Sequence, residues 1–347
     1  MKMILLIFIS FAFICESFAV KYNLLNQDYY DVDKIDDIFK QYIDKYGKQY
    51  VGEEYKLRRD VLKENLIKLN EWNKNDPGVY GDNEFTDLTE EEFVQKHLGP
   101  HRYASNIPSD NNVEEIKMPI DVNRFINERN ITHIDWRDYG AVTPVRAQLN
   151  CGSTYAFSAI GSIEGQYALK YNTTAISLSV QQILDCDTYD GGCYGGMAVY
   201  AMASVKKQKG LMREMDYPYE AKTGDCMFEE SKSVVNVSKA LMAFKMPEDI
   251  MTMFVAGVGP LTTSIIFTEK MRHIKTGKVY KPDDCQKNKY AFNAEVLIVG
   301  YGRENDDDYW ILKNSWGTHW GDRGYMRIIR GSKACNIGLL ISLPEIS

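Results

Sequence analysis

Residues 148–160, which read QLNCGSTYAFSAI, contain side chains that could act as nucleophiles. Cys151 and Thr154 stand where an apolar helical pattern begins. The amino end of a helix favours negative charge, so it helps to hold a sulfur as the thiolate. Cleavage of an amide by such a group also needs a neighbouring base, a residue that orients the base, and donors for the oxyanion.

The segments that would position these groups change character along the chain. Helical patterns come first, at residues 155–170, 179–186 and 198–209. Strand patterns follow, at residues 260–267, 295–300, 309–313 and 324–329, separated by glycine-rich turns. Helices followed by strands favour an α+β fold over an alternating α/β fold.

A separate helical region precedes this part of the chain. Apolar spacing predicts a helix at 32–46 and a longer one at 54–73, and a capping box at Thr89 and Glu92 predicts a short helix that ends near Leu98. Residues 105–129 are polar, acidic and weakly periodic, which is typical of a linker. We therefore expect two structured regions joined by residues 101–129.

Composition limits the possible partners and locations. The chain has 347 residues and a formal net charge of -7, which argues against nucleic acid or an anionic membrane as its partner. Residues 1–19 combine Lys2, an apolar run and a small-x-small ending, as a secretory signal does. No later segment has the length and apolarity of a membrane span. The sequence predicts a protein of the secretory or lysosome-like route, without metal or cofactor.

Cysteine counting agrees with that route. Of seven cysteines, six follow the signal, and an even number in an oxidising compartment predicts three disulfides with the pairing left open. Sequons at Asn130, Asn172 and Asn236 are candidate glycosylation sites.

Several blocks together resemble one family, the papain-like cysteine proteases of cathepsin L type, which are made as proenzymes. One helix face resembles the prosegment pattern of this family; its members are Glu54, Arg58, Leu62, Asn65, Leu69 and Asn73. Residues 81–87 resemble its G-x-N-x-F-x-D motif. The blocks DWR at 135–137, CYGG at 193–196 and KNSWGTHWGDRGY at 313–325 resemble the mature enzyme. Blocks in the right order over most of the chain are specific in a way that one short motif is not.

The resemblance implies a papain-like fold of two lobes, one helical and one a β-barrel-like sheet, with a substrate cleft between them. Residues 1–19 would be the signal, 20–100 an inhibitory segment called the prosegment below, 101–129 the processing region, and 130–347 the peptidase domain. It also implies the disulfides Cys151–Cys193, Cys186–Cys226 and Cys285–Cys335. The cleft residues that it implies are Gly195, Gly196, Met197 and Trp316.

Two departures from the family fall on the chemistry itself. The family's nucleophile is the second cysteine of Q-x-x-C-G-S-C-W, and Thr154 occupies that place, the nucleophile position. The family's base is the histidine of N-H-A-V-L, and Ala294 occupies that place, the base position. Gln148 as oxyanion donor and Asn314 as the residue that orients the base are retained.

Replacements for the missing groups are poor. Cys151 as nucleophile would leave Cys193 unpaired in an oxidising compartment. Glu295 adjoins the base position, but neighbouring strand residues point to opposite faces, so we expect it near the surface or paired. We expect His133, His273 and His319 to be ordinary surface or structural residues.

Three hypotheses follow from the sequence. The first is a secreted, monomeric, proteolytically inactive homologue whose cleft binds extended peptides, cystatin-like inhibitors or its own prosegment. The second is an endopeptidase that works through Thr154 or an unseen base. The third is a structural or storage protein without a specific ligand.

Overall fold

Three helices build the amino-terminal part of the chain. The computed structural model describes residues 23–99, 102–103, 111–117, 131–285 and 291–347, so the signal (1–19), Asn130 and most of the processing region lie outside the described residues. A short 3-10 turn (Val32–Lys34) leads into α1 (Ile35–Tyr46), α2 (Gly52–Asn75) and α3 (Glu90–His97). These helices confirm the predicted positions.

The predicted face of α2 is buried except at its first member, Glu54, which is exposed. Its polar members hold the loop that follows: Asn65 Nδ2 donates to the carbonyls of Thr86 and Leu88, and Asn73 exchanges two hydrogen bonds with the backbone of Tyr80. Buried amides need such partners. The asparagines therefore fix the path of the loop toward α3.

Helix α3 begins at the predicted capping box. Thr89 Oγ1 accepts from the Glu92 amide, and Glu92 Oε2 accepts from the Thr89 amide. The reciprocal bonds satisfy amides that a helix end leaves without partners. They set the direction in which residues 97–99 leave the helix.

Two short strands lie within residues 101–129, the predicted linker. Strand β1 (Arg102–Tyr103) pairs with β9 (Ala291–Phe292), and β2 (Val113–Glu115) pairs in parallel with β6 (Val237–Phe244). The β2 side chains are exposed or half-buried, so the strand carries no alternating apolar pattern that would have predicted it.

The remaining helices and strands form the two lobes. The helices are α4 (Thr154–Tyr171), α5 (Val180–Cys186), α6 (Ala198–Gln208), α7 (Glu248–Gly257) and α8 (Glu269–Arg272). The other strands are β3 (Ile134–Asp135), β4 (Leu211–Met212), β5 (Ser233–Val235), β7 (Leu261–Ile265), β8 (Val279–Tyr280), β10 (Ala294–Glu304), β11 (Asp307–Lys313), β12 (Tyr325–Ile329) and β13 (Leu340–Ile346). Short 3-10 turns cover Gly192–Tyr194, Glu230–Lys232 and Ala334–Asn336.

One mixed sheet organises the second lobe. Its strand order is β2-β6-β13-β7-β10-β11-β12-β8, and β3 also pairs with β10. The central strand β10 is buried along residues 294–302, as a strand covered on both faces should be. The fold is α+β, as predicted, but α7 lies in the half where only strands were expected.

Helix α4 packs directly on β10. A Cβ at Gly161 would lie 2.8 Å from Leu297 Cδ2, and a Cβ at Gly165 would lie 2.8 Å from Pro260 Cγ. Real side chains do not approach so closely, so both positions need glycine for the helix to reach the sheet. This close packing brings the first residue of α4 to the first residues of β10.

Candidate functional site

Thr154 and Ala294 lie side by side where α4 and β10 begin. Thr154 is 3% exposed and Ala294 is 4% exposed. The backbone N–H of Glu295 donates to Thr154 Oγ1 at 3.4 Å, and Thr154 also lines a small cavity with Ala294. The two positions identified from the sequence therefore meet in space.

Their chemistry is limited by what they carry. The Thr154 hydroxyl is hydrogen-bonded to a backbone amide, and the Ala294 side chain is a methyl group, so neither neighbour can accept a proton. A hydroxyl attacks a carbonyl only when an adjacent base takes its proton. Within the described residues, no histidine or carboxylate oxygen is hydrogen-bonded to Thr154 Oγ1.

The histidines considered as substitutes lie elsewhere. His133 and His319 are exposed. His273 is 1% exposed and lies against the prosegment, where its ring is 6.0 Å from that of Trp72. Burial and the neighbouring Arg272 hold the pKa of His273 well below its usual range. All three thus have the surface or structural positions predicted for them.

Asn314 and Trp316 are both buried, and Ala294 offers them no imidazole. Asn314 Oδ1 accepts from the Ser315 amide at 2.8 Å. Asn314 Nδ2 and Trp316 Nε1 are buried and have no hydrogen-bond partner among the described residues. Buried donors without partners are uncommon in folded proteins.

Both polar atoms of the Gln148 side chain have hydrogen-bond partners. Its Nε2 donates to the carbonyl of Cys151 at 2.7 Å and to the carbonyl of His97 at 2.8 Å, while its Oε1 accepts from Ser315 Oγ at 2.6 Å. The donor that the resemblance assigns to an oxyanion thus holds a backbone oxygen of the prosegment.

The prosegment passes through the cleft at residues 97–99. The Gly99 amide donates to the carbonyl of Asn293 at 3.0 Å, directly before the base position. His97 is buried between the rings of Phe85 and Phe93, and burial lowers its pKa to about 4. The sequence contained no signal for these contacts, because they join segments far apart in the chain.

The predicted cleft residues 195–197 differ in their surroundings. Gly195 has a φ of 100°, which side chains rarely adopt, and a Cβ at Gly196 would lie 2.4 Å from the ring of Tyr155. Met197 is 2% exposed and belongs to the core of the helical lobe. Both glycines line the cavity beside Thr154, whereas Met197 does not.

Glu295, which we expected near the surface or paired, is buried. It is 3% exposed, and its Oε2 accepts from the Ala198 amide at 2.8 Å. The side chain extends from β10 to the first residue of α6 in the other lobe. This hydrogen bond joins residues far apart in the chain, so the sequence could not indicate it.

A buried charged cluster lies behind Thr154. Lys313 Nζ donates to Thr143 Oγ1 at 3.0 Å, Thr143 Oγ1 donates to Glu164 Oε2 at 2.6 Å, and Arg146 pairs with Glu164 at 3.1 Å. Burial lowers the pKa of Lys313 to about 8. The fully hydrogen-bonded Glu164 and its partners tie α4 to β11, which is a structural role.

Disulfides hold the cleft walls. The structure contains Cys151–Cys193, Cys186–Cys226 and Cys285–Cys335, the three pairings that the resemblance implies. The first joins residue 151, just before α4, to the glycine-rich cleft edge. Cys151 is therefore a disulfide anchor. No group of three or more His, Cys, Asp or Glu side chains in the described residues is arranged to hold a metal ion.

Comparison with known families agrees with this geometry. The profile described as "Papain family cysteine protease" matches residues 131–344, and the profile described as "Cathepsin propeptide inhibitor domain (I29)" matches residues 39–93.

Individual proteins match over most of the chain. A cathepsin L-like proteinase of Fasciola hepatica is 37% identical, over 90% of this chain and 94% of its own length. A viral cathepsin of Choristoneura fumiferana nuclear polyhedrosis virus is 34% identical, over 89% and 91%. Among solved structures, a digestive procathepsin L2 from the larval midgut of Tenebrio molitor superposes with a TM-score of 0.77 at 31% identity, covering 89% of this chain and 99% of that one.

Proposed function

The chain belongs to the papain family of cysteine proteases, and we propose that it is a non-cleaving member that binds extended peptide in the cleft. The observation that carries this proposal is the pairing of a threonine hydroxyl with an alanine methyl where the family has its cysteine and histidine. Its own prosegment is the first ligand of this cleft.

The loss of chemistry follows from elementary requirements. Hydrolysis needs a nucleophile whose proton is removed and a donor that protonates the leaving amine. Thr154 supplies a weak nucleophile, and Ala294 has no group that can accept or donate a proton. Removal of either the nucleophile or the base of a comparable triad costs on the order of 10⁶ in turnover. We therefore expect no useful hydrolysis.

Binding depends on other groups, which are present. The carbonyl of Asn293 and the side-chain amide of Gln148 bond to backbone atoms of residues 97–99. Main-chain bonds of this kind let a peptide lie in a cleft as an added strand. They require neither a thiolate nor an imidazole, so peptide binding can persist without catalysis.

The proposed compartment is extracellular or lysosome-like, and the proposed state is a monomer. Support comes from the signal-like residues 1–19 and the three disulfides, which persist in oxidising compartments. No helix in the described part of the chain is long and apolar enough to span a membrane. Besides the prosegment, the partners that we propose are extended peptides and cystatin-like inhibitors.

Reconstruction of the chemistry tests the proposal. The double variant Thr154→Cys/Ala294→His should hydrolyse a fluorogenic peptide, while either single variant and the unaltered chain should not. Activity of the double variant would indicate that cleft and oxyanion donor are intact. Hydrolysis by the unaltered chain that Thr154→Ala abolishes would contradict the proposal.

Binding is measured separately. A protease site inserted within residues 104–110 allows the prosegment to be cut from the domain, and the two pieces should remain together on size exclusion at pH 7.5. We refer to this form as the nicked complex. Its immediate dissociation would indicate a structural protein whose cleft holds no ligand.

A further inference from the structure

Glu295 lines the small cavity beside Thr154 that the prosegment also reaches. Glu295 extends from β10 toward the helical lobe, and its Oε2 accepts from the amide of Ala198 at the start of α6. A carboxylate is favoured at a helix amino end, which holds this side chain in place. It is 3% exposed with the prosegment bound.

Gly99 of the prosegment lies on the other side of the same small cavity. The lining includes Gly99, Thr154, Gly195, Ala294 and Glu295. The space that remains is about 10 Å³, roughly the room that one water molecule needs. A sizeable side chain at residue 99 that extends into this cavity would have to displace part of the lining.

The backbone does not explain why residue 99 is glycine. The φ of Gly99 is not positive, so residues other than glycine can adopt it. A Cβ built there would lie 3.6 Å from the Asn293 carbonyl oxygen and 3.8 Å from Gly195 Cα, which are ordinary contacts. One methyl group therefore fits at residue 99, and the restriction concerns side-chain atoms beyond Cβ.

We propose that Glu295 restricts this position of the cleft to glycine or alanine, so that the peptides bound there carry a small residue where Gly99 lies. This inference rests on the proposed function, because it specifies which peptides the cleft accepts. An alternative is that the carboxylate attracts a lysine or arginine side chain. The bond to Ala198 and the small remaining space favour exclusion by volume.

The test uses the full chain with Thr154→Cys as a reporter. The six described cysteines are all in disulfides, so the new thiol is the one to be alkylated. Because residue 294 is alanine, no histidine at that position can deprotonate the new thiol. Its rate of reaction with iodoacetamide at pH 8, followed by mass spectrometry, reports how often the prosegment leaves the cleft.

Substitutions at residue 99 then give the result. In the reporter chain, Gly99→Ala should leave the rate within about threefold, while Gly99→Leu should raise it at least tenfold, because overpacking disfavours the bound state. Adding Glu295→Ala should return the Gly99→Leu rate toward the starting value. Glu295→Gln keeps the volume and removes the charge, so it should not.

Other outcomes would overturn the inference. Slow alkylation that is the same for glycine and leucine at residue 99 rejects the restriction but leaves the proposed function standing. A slower rate for Gly99→Lys than for glycine, lost in Glu295→Gln, would show attraction by charge instead. Fast alkylation in every chain would reject the occupied cleft and this inference together. A thermal unfolding midpoint for each variant identifies any that fails to fold.

Discussion

The side-chain amide of Gln148 donates a 2.8 Å hydrogen bond to the backbone carbonyl of His97. A donor that would stabilise an oxyanion in an active relative here holds a segment of the same chain. Gly99, two residues further on, lines the same small cavity as Thr154, so the bound prosegment lies beside the nucleophile position.

Removal of that donor should weaken prosegment binding. Gln148→Ala in the nicked complex leaves the His97 carbonyl without this partner in a buried place, which costs about 1 to 3 kcal/mol. We expect a rise in Kd of about five- to 150-fold. Gln148→Glu, which keeps the size but offers an acceptor instead of a donor, should be at least as damaging.

Acid should release the prosegment. His273 and His97 have pKa values below the ordinary 6.5, so the docked state binds fewer protons than the free pieces. Docking is then fully favourable above pH 6.5 and weakens as the pH falls below it, by up to about 1.4 kcal/mol per pH unit for each histidine. For His97 the loss ends near pH 4.

Neighbouring groups modify this pH dependence. Arg272 Nε donates to His273 Nε2 at 2.9 Å, so a proton on that nitrogen would break the bond and oppose the guanidinium. Glu84 and Glu90, whose pKa values are raised by burial, act with the opposite sign, because the docked state holds their protons more tightly. Titration calorimetry of the nicked complex from pH 7.5 to 4.5 checks the slope, and His273→Asn should reduce it. A Kd independent of pH would contradict this reading.

The ion pair of Arg58 and Glu92 should stabilise the prosegment. Arg58 forms two hydrogen bonds to the carboxylate, at 2.6 and 2.8 Å, and these hold the pKa of Glu92 at about 2. Loss of one partner of a buried pair costs about 3 to 5 kcal/mol, and we expect about 2 because Glu92 is 29% exposed. Urea unfolding of Arg58→Met measures it.

The double variant supplies the control for that pair. If Arg58→Met destabilises because it isolates Glu92, adding Glu92→Gln should recover part of the loss, although the Thr89 cap also uses Glu92. Equal, additive losses in the two single variants would mean that the pair contributes no coupling energy.

Glycosylation should distinguish two of the three sequons. Asn172 is exposed at the carboxyl end of α4, whereas Asn236 is half-buried beside β6, with its side-chain Oδ1 inaccessible to solvent. We expect a glycan at Asn172 and none at Asn236 when the chain is expressed through a secretory route. Peptide mapping after endoglycosidase treatment reads both sites, and a glycan at Asn236 alone would contradict the burial.

Local patterns predicted much of the fold. The capping box at Thr89 and Glu92 and the periodic face of α2 act over a few residues, so the sequence displays them directly. Strand β2 was missed because its exposed residues lie at the edge of the sheet. Helix α7 was not predicted, because it lies between segments that have strand patterns.

The site was predictable only at the positions that motifs mark. Thr154 and Ala294 were identified by spacing, and α4 and β10 bring them together. The path of residues 97–99 and the reach of Glu295 depend on contacts between distant segments, such as the 97 positions between Ala198 and Glu295. No periodicity encodes such a contact.

Whether the chain cleaves peptides is tested most directly by measuring turnover with the unaltered protein. The chain, with its prosegment cut at the inserted site and released by acid, is assayed on a fluorogenic peptide beside its Thr154→Ala variant. We expect both proteins to show only the background rate of the buffer. A rate above background that disappears in Thr154→Ala would contradict the proposed loss of catalysis and identify a working threonine protease.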